Sequence, residues 1–155
     1  MILRVDVPDG WTSTAIAEGI VHTSGETSIT ALAIRELPAD AGRWIRRTAV
    51  LGGPAGARGT ERARSELTTR DGWFGLVLEL DLTHEAWRRT RIVALYRFLD
   101  YAAGAIVDTH TDRYDDERAA LFEILRSARP DWGPQDTTCL SRMLGPAAGH
   151  LVTIE

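Results

Sequence analysis

The chain has 155 residues, enough for one domain with a substantial core. Its 44% hydrophobic and 26% charged residues are ordinary globular composition. A formal charge of −4 and a pI near 5.6 argue against a general nucleic-acid partner or an anionic membrane surface, since both call for a basic face.

All 18 basic residues are arginine, and the single cysteine, Cys139, excludes an internal disulfide. The opening "MILRVDVPDGW" has no basic n-region, apolar h-region or small-residue cleavage site. No apolar run reaches the roughly 18–20 residues a bilayer span needs. A cytoplasmic protein without membrane insertion is the expectation.

Residues 3–7, "LRVDV", alternate apolar and polar before Pro8 and a Asp9-Gly10 turn, which predicts a short strand. "AEGIVHTS" and "TSITALAIREL" flank "SGE" and predict a hairpin. The period then changes. Ala41, Trp44, Ile45 and Thr48 fall at i, i+3, i+4 and i+7, one stripe of a short helix over 39–50, with Pro38 at its entry and Gly52-Gly53 beyond its end. "GGPAGARG" (52–59) reads as a loop; it lacks the Lys-Ser/Thr of a phosphate loop and the strand–helix setting of a dinucleotide site.

"TERARSELTT" alternates weakly and leads through "RDG" into "WFGLVLELDL". There Phe74, Leu76, Leu78, Leu80 and Leu82 share one face, with Glu79 and Asp81 opposite. "RTRIVALYRFL" predicts the returning strand, with Ile92, Ala94, Tyr96 and Phe98 on one face. Pairing that sets Arg91 against Glu79 and Arg89 against Asp81 would match charge across the hairpin. "DYAAG" reads as the next turn and "AIVDT" as the last strand of the main sheet. "DDERAALFEILRSARP" is the clearest helix: Leu121, Ile124, Leu125 and Ala128 form its stripe, acids crowd its first turn and Pro130 ends it. The remainder, 131–155, is a Gly- and Pro-rich tail with a short strand pattern at "HLVTI", expected to pack on the domain or on a partner.

The fold class expected is α+β: an antiparallel sheet of about six strands whose apolar face is covered by both helices. The pattern resembles the Mog1/PsbP-like fold, in its small bacterial branch related to DcrB. Pro8-x-Gly10-Trp11, "ITALAIRELP" feeding a helix, the hairpin "ELTTRDGWFGLVLEL" and the closing "ERAALFEILRSARP" carry the resemblance, which spans about residues 3–130, with 1–130 taken as one domain. The resemblance implies a non-enzymatic scaffold. Relatives include a Ran-binding import factor, a photosystem II extrinsic subunit and cytoplasmic chaperones of type VI secretion effectors. It also implies a protein client or effector as partner, and no cofactor.

Two chemistries compete with that reading. Asp108, His110 and Asp112 in "VDTHTDRYDDE" would project from one strand face about 6–7 Å apart, a spacing from which carboxylate and imidazole could ligate a divalent ion in a small metal-dependent enzyme. Set against this, "DRYDDE" is also the acidic first turn of a helix, with Asp112 or Asp115 as its cap. Cys139, His150 and Asp136 lack the setting of a nucleophile and its base.

For partner binding, the sheet face carrying Val77, Val93, Leu95 and Leu99 among Glu79, Arg91 and Arg97 is too apolar for a solvated face. Trp87, in the polar loop "THEAWRR", is the exposed aromatic expected beside it, whereas Trp44 is expected to pack inward while Arg43, Arg46 and Arg47 coat the helix. Val77, Trp87, Arg91, Val93, Leu95 and Arg97 are therefore the candidate contact residues. A structural homodimer is the remaining alternative.

Overall fold

Long antiparallel hairpins organise the chain because each turn is short and each arm alternates. The computed structural model of the protein describes residues 2–131. Its elements run β1 (Ile2–Arg4), β2 (Thr12–Ile16), β3 (Gly19–Ser24), β4 (Thr27–Leu32), β5 (Arg35–Glu36), α1 (Ala41–Ala49), β6 (Arg58–Thr68), β7 (Phe74–His84), β8 (Trp87–Phe98), β9 (Tyr101–His110), α2 (Thr111–Arg126) and β10 (Arg129–Asp131). The main sheet has eight strands, not six: β2-β3-β4-β9-β8-β7-β6 in order, with β5 continuing β4 along β9. β1 and β10 form a separate two-stranded sheet, with Leu3 opposite Pro130.

The register of the β7–β8 hairpin departs from the charge-matched expectation by one residue. Glu79 faces Ile92, and Arg91 faces Leu80. The cause lies in the turn: His84 pairs Trp87 across only Glu85 and Ala86, with Glu85 in the left-handed region at φ 53°. One residue of slip exchanges the faces of a strand. The leucines of β7 therefore lie on the side opposite Ile92, Ala94, Tyr96 and Phe98, and both faces of the sheet are apolar. The β8–β9 turn is equally tight, Leu99-Asp100, so the stretch read as a turn, "DYAAG", is mostly the start of β9.

Two apolar faces need two covers, and the helices take one each rather than sharing a face. α2 packs through Leu121, Phe122, Ile124 and Leu125 on Ile29, Ala31, Val77, Ile92, Tyr96, Val107 and their neighbours. Trp11 packs against this larger cluster. α1 packs through Ile45 and Ala49 on Leu78, Leu80, Leu82, Val93 and Leu95. The face expected to lie open is thus split: Val77 lies under α2, while Val93 and Leu95 lie under α1.

Asp40 caps α1 by accepting a hydrogen bond from the Arg43 backbone N–H at 2.8 Å. The cap of α2 is neither Asp112 nor Asp115. It is His110, whose Nδ1 accepts from the Asp112 N–H at 3.2 Å.

Candidate functional site: the cleft beside helix α1

α1 is short, and its reach sets the site. Spanning Ala41–Ala49, it covers the β7–β8 end of its face and leaves the arm of β2, β3 and β4 without a helix above it. On that arm Thr12, Thr14 and Ile16 are exposed, and Val21, Thr30, Leu32 and Ile106 are half-buried. Between helix and arm runs a cleft of about 330 Å³, walled by Leu32, Ala33, Trp44, Leu95, Gly104 and Ile106, with Glu18, Arg35 and Glu36 at its mouth. A shallower hollow of about 740 Å³ adjoins it on the outer side of the helix, sharing Pro38, Trp44, Thr48 and Leu51 and adding Arg43, Arg47 and Val50.

Trp44 forms the shared wall, and Gly104 makes room for it. A Cβ at position 104 would stand 2.4 Å from Trp44 Cη2 and 3.0 Å from Cζ2, closer than such atoms approach. Thus a glycine in mid-strand lets the edge of the indole come close to the sheet backbone. The other end of the helix is held by Arg91. Its NH1 donates to the Ala49 carbonyl at 3.2 Å and to the Leu51 carbonyl, and its Nε and NH2 fork onto Asp108 at 2.6 and 2.8 Å. Arg91 is buried, so a cation ties the negative C-terminal end of α1 to the sheet.

At the surface the site combines apolar and cationic groups. Val50 and Leu51 are 63% and 60% exposed, the most exposed large hydrophobics among the described residues. Arg43, Arg46 and Arg47 stand beside them, all exposed, and none of their guanidinium groups forms an ion pair among the described residues. Most other arginines of the fold are occupied by carboxylates. Aromatic, aliphatic and unpaired arginine side chains around a cleft are the composition of a protein-contact surface.

The candidate contact residues divide on inspection. Val77, Arg91 and Val93 are buried and can reach a partner only by way of the surface they support, while Leu95, also buried, lines the cleft. Arg97 is exposed and donates from Nε to the Leu99 carbonyl at 3.0 Å. Trp87 is half-buried against the smaller cluster. The proposed metal ligands also have other work. Both Asp108 oxygens accept from Arg91, His110 caps α2, and Asp112 lies on the helix within 3.7 Å of Arg88. Among the described residues, no group of three or more His, Cys, Asp or Glu side chains is placed to hold a metal ion. Asp136, Cys139, His150 and "HLVTI" lie outside the described residues.

The α2 side is sealed by a polar network. Glu79, 2% exposed at its side chain, accepts from Arg118 Nε at 2.7 Å and NH2 at 3.0 Å and from the Tyr114 hydroxyl. Burial pulls its carboxyl upward, but the hydrogen bonds from Arg118 and Tyr114 outweigh that and hold it below the ordinary carboxylate value. Burial, with Glu79 beside it, pushes the Tyr114 hydroxyl well above the usual phenol range. A carboxylate with both oxygens in use fastens α2 to β7. Nearby, Arg62 bridges Asp81 at 2.9 Å and Asp115 at 3.1 Å, and Glu117 accepts from Thr27 and Thr109 at 2.9 and 2.8 Å.

The cleft residues that sequence reasoning missed are Leu32, Gly104, Ile106 and the Val50-Leu51 pair. Only the last left a local signal: two large apolar residues following the helix stripe, just before Gly52-Gly53.

A large antiparallel sheet with one helix on each face and a short pairing of the two chain ends is the decisive arrangement. The fold is Mog1/PsbP-like. The solution structure of the cyanobacterial PsbP protein from Synechocystis sp. PCC 6803 is similar, with a TM-score of 0.62 at 14% identity over 83% of this chain and 86% of that one. LpqN of Mycobacterium tuberculosis, described as involved in cell envelope biogenesis, has a TM-score of 0.57 at 17% identity over 83% of each chain. The Ran-binding protein Mog1p of Saccharomyces cerevisiae has 0.52 at 13% over 82% of this chain and 89% of that one. No family model matches the sequence, and no curated protein matches it either. At these identities the likeness is one of Mog1/PsbP-like architecture. Among the described residues no helix is long and apolar enough to cross a membrane.

Proposed function

We propose that this Mog1/PsbP-like chain is a non-catalytic protein-binding module that receives a protein segment in the α1 cleft. The observation that carries this reading is the apolar cleft beside Trp44 with its adjoining hollow, which exposed Val50 and Leu51 line together with Arg43 and Arg47, two arginines without an ion pair among the described residues. A segment with apolar anchors and acidic flanks complements it. Trp87 and Arg97 extend the same side of the sheet, while Arg91, Val93 and Leu95 act beneath it by holding α1 in place; Val77 supports the opposite face.

The finer reading is a cytoplasmic chaperone or adaptor of the DcrB-related kind, whose client is a secreted effector. Support comes from the resemblance in the sequence, from the apolar cleft, and from Mog1p, a protein of this architecture described as Ran-binding. A photo-crosslinking residue at position 50 is expected to capture a defined client, and one at position 66 on β6 is not. Leu51→Asp should abolish capture while leaving the fold intact. Equal capture from both positions, or none from either, would overturn the reading.

One observation favours a homodimer as a second reading. β2 is an edge strand whose five residues are all exposed and uncharged, while the other edge, β6, is guarded by charges and a bulge near Glu61. Pairing of β2 with its copy predicts twice the monomer mass in light scattering, reverting to monomer in Thr14→Pro.

A further inference from the structure

The position at which the chain leaves the described fold bears on what fills the cleft. β10 ends at Asp131, which pairs with Ile2; Ile2 in turn bridges Ala33, a wall residue of the cleft. Two strand spacings, about 10 Å, therefore separate the exit point from the cleft wall. Residues 132–155 follow. At about 3.3 Å per extended residue they can reach any part of the cleft.

Their sequence suits the site. It holds Gly-Pro pairs at 133–134 and 145–146 and the large apolar residues Leu151, Val152 and Ile154. It has two carboxylates, Asp136 and Glu155, against one arginine, Arg142, and so suits Arg43 and Arg47 of the adjoining hollow, neither of which forms an ion pair among the described residues. A tethered segment also acts at an effective concentration on the order of millimolar, so modest affinity is enough to keep the cleft filled.

We propose that residues 132–155 occupy the α1 cleft of their own chain when no client is bound, with Leu151, Val152 and Ile154 as the inserted side chains. The inference rests on the cleft being the client site assigned above. The tail then acts as a resident competitor, which shields the apolar surface and which a client must displace.

The test uses the full-length chain. Hydrogen exchange is measured across residues 32–36 and 44–51 in the wild type and in the triple variant Leu151→Asp, Val152→Asp, Ile154→Asp. Exchange in both windows should rise about tenfold in the variant and stay unchanged in β6 and β7. A synthetic peptide of residues 146–155 should restore the protection. A paired measurement places Val50→Cys and Thr153→Cys in a Cys139→Ser background. A short bismaleimide should then link the two positions within one chain, read by mass. Unchanged exchange in the triple variant, or a link found only between two chains, overturns the proposal. If that happens while Leu51→Asp still abolishes client capture, the client site stands and only the tail's role is lost. If the tail protects the cleft but no client is captured from position 50, the binding reading fails instead.

Discussion

Removing Arg118 should cost more than removing the charge of Glu79, although Arg118 is the more exposed of the two. The side chain of Glu79 is 2% exposed and that of Arg118 is 46% exposed. In Arg118→Ala the carboxylate stays buried with only Tyr114 as donor. Breaking a fully buried pair from one side costs about 3–5 kcal/mol, and discounting for the half-exposed guanidinium leaves about 2–3 kcal/mol. In Glu79→Gln the guanidinium can turn into water and the amide oxygen still accepts from Tyr114, so about 1 kcal/mol is expected. The pH dependence separates the two variants further. Glu79 has a lowered carboxyl value in the fold, so its contribution is present above the unfolded value near 4.5 and is lost as pH falls through the folded value. Glu79→Gln should lack that acid-side loss. In Arg118→Ala the burial effect remains without its main opponent, so the carboxyl value rises and the sign reverses: the deficit is largest near neutral pH and shrinks towards pH 4.5. Urea unfolding from pH 3 to 8 reads both. Equal costs at pH 7, or parallel pH slopes, would refute the reasoning.

Gly104→Ala should displace the Trp44 indole and cost about 1–3 kcal/mol, and Trp44→Phe in the same chain should recover part of it, giving a non-additive double-mutant cycle. Arg91→Met leaves Asp108 and the carbonyls of Ala49 and Leu51 without their donor. A loss of about 3 kcal/mol and faster exchange over 41–51 are expected, with little recovery in Arg91→Lys, which cannot fork. His22 is buried, which lowers its value from 6.5, so below that pH the unfolded chain takes up a proton before the fold does. Stability should therefore fall as pH drops below 6.5, and His22→Gln should flatten that slope in denaturant titrations at pH 5 to 7.

Much of the architecture was legible. The class, both helices and the hairpin arms follow from period and turn residues, which are properties of neighbouring positions. "VDTHTDRYDDE" was legible in part. It does divide into a strand end and a helix start, but the cap is His110, since a ring nitrogen two residues upstream of Asp112 meets its N–H as well as a carboxylate would. The partners of Asp108 and Glu79 were not legible. Arg91 sits 17 positions before Asp108, and Arg118 sits 39 after Glu79. No local pattern reports such distances.

The cleft shows the division most clearly. Alternation alone determined which residues of β7 share a face and which residues of β8 do. It left undetermined whether those two sets lie on the same side of the sheet, because that depends on whether the connecting turn holds an even or an odd number of residues. Folding chose the two-residue turn at Glu85-Ala86. That choice made both faces apolar, sent α1 and α2 to opposite sides, and left the shorter helix unable to cover the whole of its own.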